Sequence, residues 1–376
     1  MLLLVGAAAF AHCKAEPTGT APTPTESAAE PSPAANPSAQ TEANKPAPTV
    51  NAAPRPSAGS LPRLEPLKRE EDPYRAKKVA LGNALFFDKR LSVDGTRACY
   101  SCHMNEDGTG GHTPLAIGAK NKALTRHSPT LVNVAYLKGA FYWDGRAPSL
   151  EAQGMAAWAG GNMGVGEKDL AKKAAKIRKI KGYAKMFKAA YPGKKITPDL
   201  IMDAIAEYER TLICDDTAYD RFAAGDKSAL TEPQQRGLDV FMGKGQCVAC
   251  HAPPMFSSAM GVDGGVYFNV GIGTANKAES EVDIGRLKVS NNPSDWAAFK
   301  PPTLRNVAKS APYFHDGSVA TLKEAVHIMA SGGVPNKNKS PILSDRGLTE
   351  AESADLVAFL EGLNCSLELK EPKLPR

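Results

Sequence analysis

Long apolar runs are missing from this chain: no segment after the leader reaches the roughly 18 consecutive apolar residues of a membrane-spanning helix. Aromatic residues are sparse as well, at 7% of 376 residues, which argues against a stacking platform for single-stranded nucleic acid. Charge of one sign is lacking. Lys plus Arg number 46 against 40 Asp plus Glu, a net charge of +6. The one basic stretch, Lys168 to Lys185, has the spacing of a solvated helix face, so no nucleic-acid partner is expected. Alternating strand patterns are scarce too. With 42% hydrophobic and 23% charged residues, the chain reads as a globular protein of about two domains with appendages.

The N-terminus points to export. Residues 1–15 read as an export signal, small and apolar, with an A-x-A pattern at Ala9-Phe10-Ala11, although the basic n-region is absent. Cys13 raises a lipid-anchor alternative, which His12 in place of a small residue argues against. Ten prolines fall between Glu16 and Ser60, with Val50 the only large aliphatic there. Such a segment cannot bury enough apolar surface to offset its ordering entropy, so residues 16–62 read as a disordered Pro/Ala-rich linker. A periplasmic location follows as the expectation.

Cysteine placement carries the chemistry. Four of the seven cysteines form two copies of one pattern, Cys99-Tyr100-Ser101-Cys102-His103 and Cys247-Val248-Ala249-Cys250-His251. C-x-x-C-H is the attachment signature of c-type haem: two thiols reach the two vinyl groups, and the adjacent imidazole is delivered to the iron. Zinc would need a second ligand pair near each motif, and none is present. A thioredoxin-like dithiol would need a βαβ setting, also absent. Two covalent haems are expected, with Cys99, Cys102, Cys247 and Cys250 as attachment points and His103 and His251 as iron ligands.

Helical spacing dominates around both motifs. Pro73 to Asp88 carries apolar residues at helical period, Thr197-Pro198-Asp199 opens a helix, and Thr231-Glu232-Pro233 opens another. Thr321 with Glu324, and Thr349 with Glu352, form capping boxes. The expected architecture is mostly α, two cytochrome c-type domains with one haem each, at residues 63–225 and 226–376.

The run Phe141-Tyr142-Trp143-Asp144-Gly145-Arg146-Ala147, the preceding Ser128-Pro129-Thr130-Leu131-Val132-Asn133, and the later Pro302-Thr303-Leu304-Arg305-Asn306 and Pro312-Tyr313-Phe314-His315-Asp316-Gly317 resemble the bacterial di-haem cytochrome c peroxidases. Quinone-forming di-haem maturation enzymes are related to these. The similarity spans about residues 75–363. It implies an electron-receiving C-terminal haem, a peroxide-reducing N-terminal haem and a tryptophan between them.

The resemblance also implies roles. The second iron takes its sixth ligand from a Met fourteen residues after His315, which is Met329. A Met/His pair raises the reduction potential and suits an electron entry port. Met255 and Met260 lie nearer in sequence, but Met329 matches the spacing, and Met rather than Tyr there points to a peroxidase. Trp143 matches the inter-haem tryptophan, with Asp144 and Arg146 setting ion-pair geometry around it.

The chain departs from the pattern at three places. Sixteen residues after His103, where many members carry a distal His, stands Ala119; His112 and His127 are the candidates to cap that iron at rest. Gln153 matches the family's distal Gln, but Asn162 stands where a Glu is expected, with Glu167 or His112 as candidate substitutes. His127 also replaces the Asn of the family's calcium site, which leaves calcium unassigned.

The expected activity is reduction of hydrogen peroxide with electrons from a small cytochrome c or cupredoxin, in a protein that the resemblance implies is a homodimer. A pure electron-transfer cytochrome and an oxidative protein-modifying enzyme are the alternatives. Cys214 and Cys365, the remaining pair, form a disulfide if the chain is exported.

Overall fold

In the computed structural model, which describes residues 56–376, strands are replaced by short bridges: six isolated β-bridges and no extended ladder occur among the described residues. The helices are α1 (Arg75–Phe87), α2 (Leu150–Ala159), α3 (Leu170–Arg178), α4 (Lys181–Ala190), α5 (Pro198–Glu209), α6 (Ala218–Ala223), α7 (Glu232–Met242), α8 (Leu287–Ser290), α9 (Leu322–Ala330) and α10 (Glu350–Glu361). The export signal, Cys13 and most of the linker lie outside the described residues.

Several helices start where the sequence places a cap. The Thr197 hydroxyl accepts the Leu200 N–H ahead of Pro198, satisfying a donor that no helical carbonyl can reach. Thr231 with Gln234, and Thr349 with Glu352, exchange both bonds of a capping box. Thr321 accepts from the Glu324 N–H without the return bond, so the box expected there is only half formed. The basic stretch from Lys168 is divided between α3 and α4, broken at Lys179 and Ile180.

The same helix crossing is built twice. α1 packs on α5 and α7 packs on α10, each at a glycine: a Cβ on Gly82 would overlap the Ala204 carbonyl, and one on Gly237 the Asp355 carbonyl. Beside each glycine an aromatic pair closes the crossing. Phe86 meets Tyr208, and Phe241 meets Phe359, both with centroids 5.3 Å apart and rings inclined at 59°. Each crossing anchors one large hydrophobic core, the first around Leu81, Leu85, Ile201 and Ile205, the second around Leu238, Phe241, Phe256 and Phe359.

Both ends of the described segment cross to the other core. Leu369 is buried in the first core, and its backbone exchanges two hydrogen bonds with the Asn105 amide at 2.8 and 2.9 Å. Cys214 and Cys365 are joined by a buried disulfide at the start of this return. At the other end, residues 56–62, assigned above to the linker, are ordered against the second core. Ala58 and Leu61 pack on it, the Gly59 N–H donates to the Phe222 carbonyl at 3.1 Å, and the Tyr219 hydroxyl donates to the Pro62 carbonyl at 3.0 Å. Leu61 supplies the apolar side chain that the residues before it lack.

Candidate functional site

Each C-x-x-C-H motif opens onto a cavity. The first sits on a 3-10 turn, Cys99–Ser101, and Cys99, Cys102 and His103 line about 690 Å³ of empty space against α2 and α5. Nδ1 of His103 bonds the Thr109 carbonyl at 2.9 Å, which fixes the tautomer with Nε2 as the free base. Burial pushes this imidazole down to about 4, so it stays neutral. The two thiols are not bonded to each other, and burial raises both.

The second motif repeats this arrangement. Nδ1 of His251 bonds the Phe256 carbonyl at 3.0 Å, burial again lowers the imidazole, and Cys247 and Cys250 are pushed up to about 11 by burial. Its cleft is larger, about 1400 Å³ including the open mouth, and is walled by apolar residues of α7, α9 and α10. Met329 lines it, whereas Met255 and Met260 do not. Paired unbonded thiols, a neutral imidazole and an apolar cavity of this size fit a covalently held haem at each motif.

Trp143 stands at the second cavity. Its Nε1–H donates to the His127 carbonyl at 2.8 Å. Beside it His315 stacks on Phe299, centroids 3.7 Å apart, with Arg126 over the same ring at 5.1 Å. Asp144 and Asp283 clamp Arg126 at 2.7 and 2.6 Å. Arg146 also pairs with Asp144, at 2.8 Å, and lies 3.5 Å over the Tyr142 ring.

The two cavities share one plan, which reveals how they differ. Tyr142 and Phe314 hold the same left-handed backbone, φ 68° and 70°, in matching bridges Phe141 to Ala147 and Tyr313 to Val319. Superposing Asp144-Gly145 on Asp316-Gly317 brings α2 onto α9 and Ala157 onto Met329. Both residues line their cavities. A methyl group has no lone pair, so the first cavity lacks a thioether where the second has one.

Comparison with known proteins fits this arrangement. The model of the family "Di-haem cytochrome c peroxidase" matches residues 76–228. A cytochrome-c peroxidase of Denitromonas iodatirespirans is 36% identical over 349 residues, covering 85% of this chain and 90% of that protein. This chain belongs to the di-haem cytochrome c peroxidase family. A cytochrome c551 peroxidase of Nitrosomonas europaea, 33% identical, covers 85% of this chain and 90% of its own length. The methylamine utilization protein MauG of Methylorubrum extorquens, 35% identical, covers 85% and 86%. Among solved structures, a MauG-like protein associated with microbial copper homeostasis superposes with a TM-score of 0.71 at 29% identity, over 86% of this chain and 96% of that one. The diheme peroxidase BthA of Burkholderia thailandensis shares the fold, with a TM-score of 0.66 at 22% identity over 86% and 94%.

Within this di-haem peroxidase chain, the structure brings some of the expected distal residues to the first cavity and leaves others out. Gln153 and Asn162 both line it, and the Asn162 carbonyl accepts the Ala119 N–H at 2.9 Å. The proposed substitutes do not reach it. His112 is exposed and pairs with Asp107 at 3.4 Å. His127 is buried, with its Nδ1 bonded to the Thr113 carbonyl at 3.0 Å and its backbone N–H to the His315 carbonyl, and does not line the first cavity. Glu167 is exposed in the turn that leads into α3. The carboxyl group that does line the cavity is Glu209, at the end of α5. Its sequence signal is slight: the stripe of Ile201 and Ile205 continues at helical spacing to position 209, where a charged residue interrupts it.

Proposed function

We propose that this chain reduces hydrogen peroxide to water, taking single electrons from a small periplasmic cytochrome c or cupredoxin. The observation that carries this reading is the asymmetry of two otherwise matching cavities: Met329 in the second, Ala157 with Gln153 in the first. Covalently bound at each motif, a haem supplies a one-electron carrier, and at the first motif also an open iron position for peroxide.

The chain's own residues then have distinct tasks. Cys99, Cys102, Cys247 and Cys250 would form the thioethers, while His103 and His251, held by the Thr109 and Phe256 carbonyls, would bind the irons. Met329, which lines the second cavity, would be the further iron ligand there, raising that haem's potential as suits an entry port. Trp143, fixed by its bond to the His127 carbonyl, carries electrons toward the first site. In the first cavity Gln153 and Asn162 orient peroxide through amide hydrogen bonds but exchange no proton at neutral pH. We read the two cores as the centres of two cytochrome c-type domains, at about 63–225 and 226–376, with Tyr219 and Phe222 of α6 packing on the second core and Leu369 on the first. Calcium is assigned no site, since His127 is a poor partner for a hard cation.

Relatives named MauG favour one second reading, oxidative modification of a partner protein. Purified protein given peroxide and a reduced small cytochrome c, from the fully oxidised and the half-reduced state, tests both. Turnover from both states is the expected result, because Ala119 and Ala157 leave the first site open. No turnover with any reduced cytochrome or copper donor overturns the peroxidase reading.

A further inference from the structure

Two cavities on one plan should have similar walls, yet besides Ala157 against Met329 they differ at a second position. The glycine crossings align α5 with α10: Ala204 falls on Asp355, Tyr208 on Phe359, and hence Glu209 on Leu360. Leu360 lines the second cavity as part of an apolar wall. Glu209 lines the first at the same place, only 7% exposed. A carboxyl group has been put where the fold otherwise takes a leucine.

Burial of a carboxyl group is costly unless it is paired, and Glu209 has no pairing partner. Its side chain makes no hydrogen bond or ion pair with another described residue. The adjacent cation, Arg210, is occupied elsewhere, by Glu151 at 2.5 Å and Glu207 at 3.2 Å. Tyr208 precedes it on α5, Glu151 adds negative charge from α2, and Cys99 faces it from the motif turn. Arg97 and His103 also line the cavity. Burial, opposed in part by Arg210 and reinforced by Glu151, pushes the carboxyl up to about 8, so both protonation states are populated near neutral pH.

We propose that Glu209 is the proton-exchanging residue of the first cavity, performing the task that the amide of Asn162 cannot. The proposal rests on the peroxidase reading above. As carboxylate, Glu209 takes a proton from one peroxide oxygen; as acid, it returns a proton to the other, and the O–O bond breaks with water leaving. Two electrons from the donor and two protons from solvent convert the remaining oxygen to a second water, so one hydrogen peroxide yields two waters. A general acid–base group near the working pH is suited to this and contributes about 10²–10⁴-fold.

The test compares wild type, Glu209→Gln and Glu209→Asp, each with haem attached, by two measurements. One is the rate of cyanide association with the ferric and half-reduced proteins from pH 5 to 8.5, followed by absorbance, since hydrogen cyanide must also give up its proton to bind. The other is peroxide turnover. Wild-type association should rise with a single ionisation near the upper end of that range. E209Q should lose the step and lose about 10²–10⁴-fold in turnover, while E209D restores part of both. A merely structural role would leave the pH profile in place. The inference is overturned if E209Q keeps the wild-type cyanide profile, or if E209Q fails to load haem and the wild-type profile is flat. Absence of peroxide turnover in wild type would instead remove the peroxidase reading, with the cyanide profile still deciding whether Glu209 exchanges protons.

Discussion

Arg305 is the side chain on which the second site's geometry depends, and replacing it should be among the most damaging single changes in the chain. It has no exposed side-chain surface and makes four hydrogen bonds. Two go to the Asp220 carboxylate at 2.6 and 2.8 Å, and two to the Pro254 carbonyl at 3.0 and 2.7 Å. Pro254 is two residues before Phe256, whose carbonyl holds His251, so the guanidinium fixes the loop that orients the proximal ligand. Arg305→Ala leaves the buried Asp220 carboxylate with its Thr217 hydrogen bonds but no countercharge, and takes both guanidinium donors from the Pro254 carbonyl, which costs about 3–5 kcal/mol. The pH dependence has a definite sign. Burial alone would raise the Asp220 carboxyl, but the bond and charge of Arg305 outweigh it and hold the group below its ordinary value. The pair's contribution is therefore present above the unfolded value near 3.8 and is lost as pH falls through the lower folded value. Urea unfolding at pH 7, followed by far-UV circular dichroism, should show the full loss, and the gap between variant and wild type should narrow below about pH 4. A double variant, Arg305→Met with Asp220→Leu, should recover part of the stability, because neither charge is left buried alone although the Thr217 capping box of α6 is lost. A loss under about 1 kcal/mol for R305A at pH 7, at unchanged urea slope, would refute this reasoning.

Other changes follow from the duplicated plan. Ala157→Met places a thioether where Met329 stands in the second cavity, so the first haem should become low-spin and bind cyanide at least about tenfold more weakly, a difference of about 1.4 kcal/mol; unchanged binding would refute the alignment of α2 with α9. Reducing the Cys214–Cys365 bond opens a loop with a sequence separation of 151 and should cost about 5 kcal/mol by chain entropy, read as a lower denaturation midpoint after reductant. Gly237→Ala drives a methyl group into the Asp355 carbonyl and should destabilise by about 1–3 kcal/mol or more, whereas the same change at Gly193, where nothing stands near, should cost less in packing.

Much of this protein is local in origin, and what is local can be read in sequence. The C-x-x-C-H motifs identify the attachment chemistry because both thiols and the imidazole come from five consecutive residues. Thr197, Thr231 and Thr349 mark helix starts because a hydroxyl three residues from a backbone N–H caps it whatever the surrounding fold. That Met329 lines the second cavity agrees with the spacing after His315 that the family resemblance implied. The choice among distant residues was not legible. By sequence proximity His112 and His127 were reasonable candidates for the missing distal His, and Glu167 and His112 for the missing distal Glu, yet none lines the cavity: His112 pairs with Asp107, His127 bonds the Thr113 carbonyl and Glu167 is exposed. Glu209 lies 106 residues after His103 and enters the cavity only because α5 crosses α1 at Gly82 and presents its terminal turn there. Ordering of residues 56–62 likewise depended on a surface offered by the second core. Sequence alone thus determined which reactive groups this chain carries and where its helices begin. Tertiary structure decided which of those groups share a cavity, because burial and the loss of alternative hydrogen-bond partners arise only when helices far apart in sequence pack together.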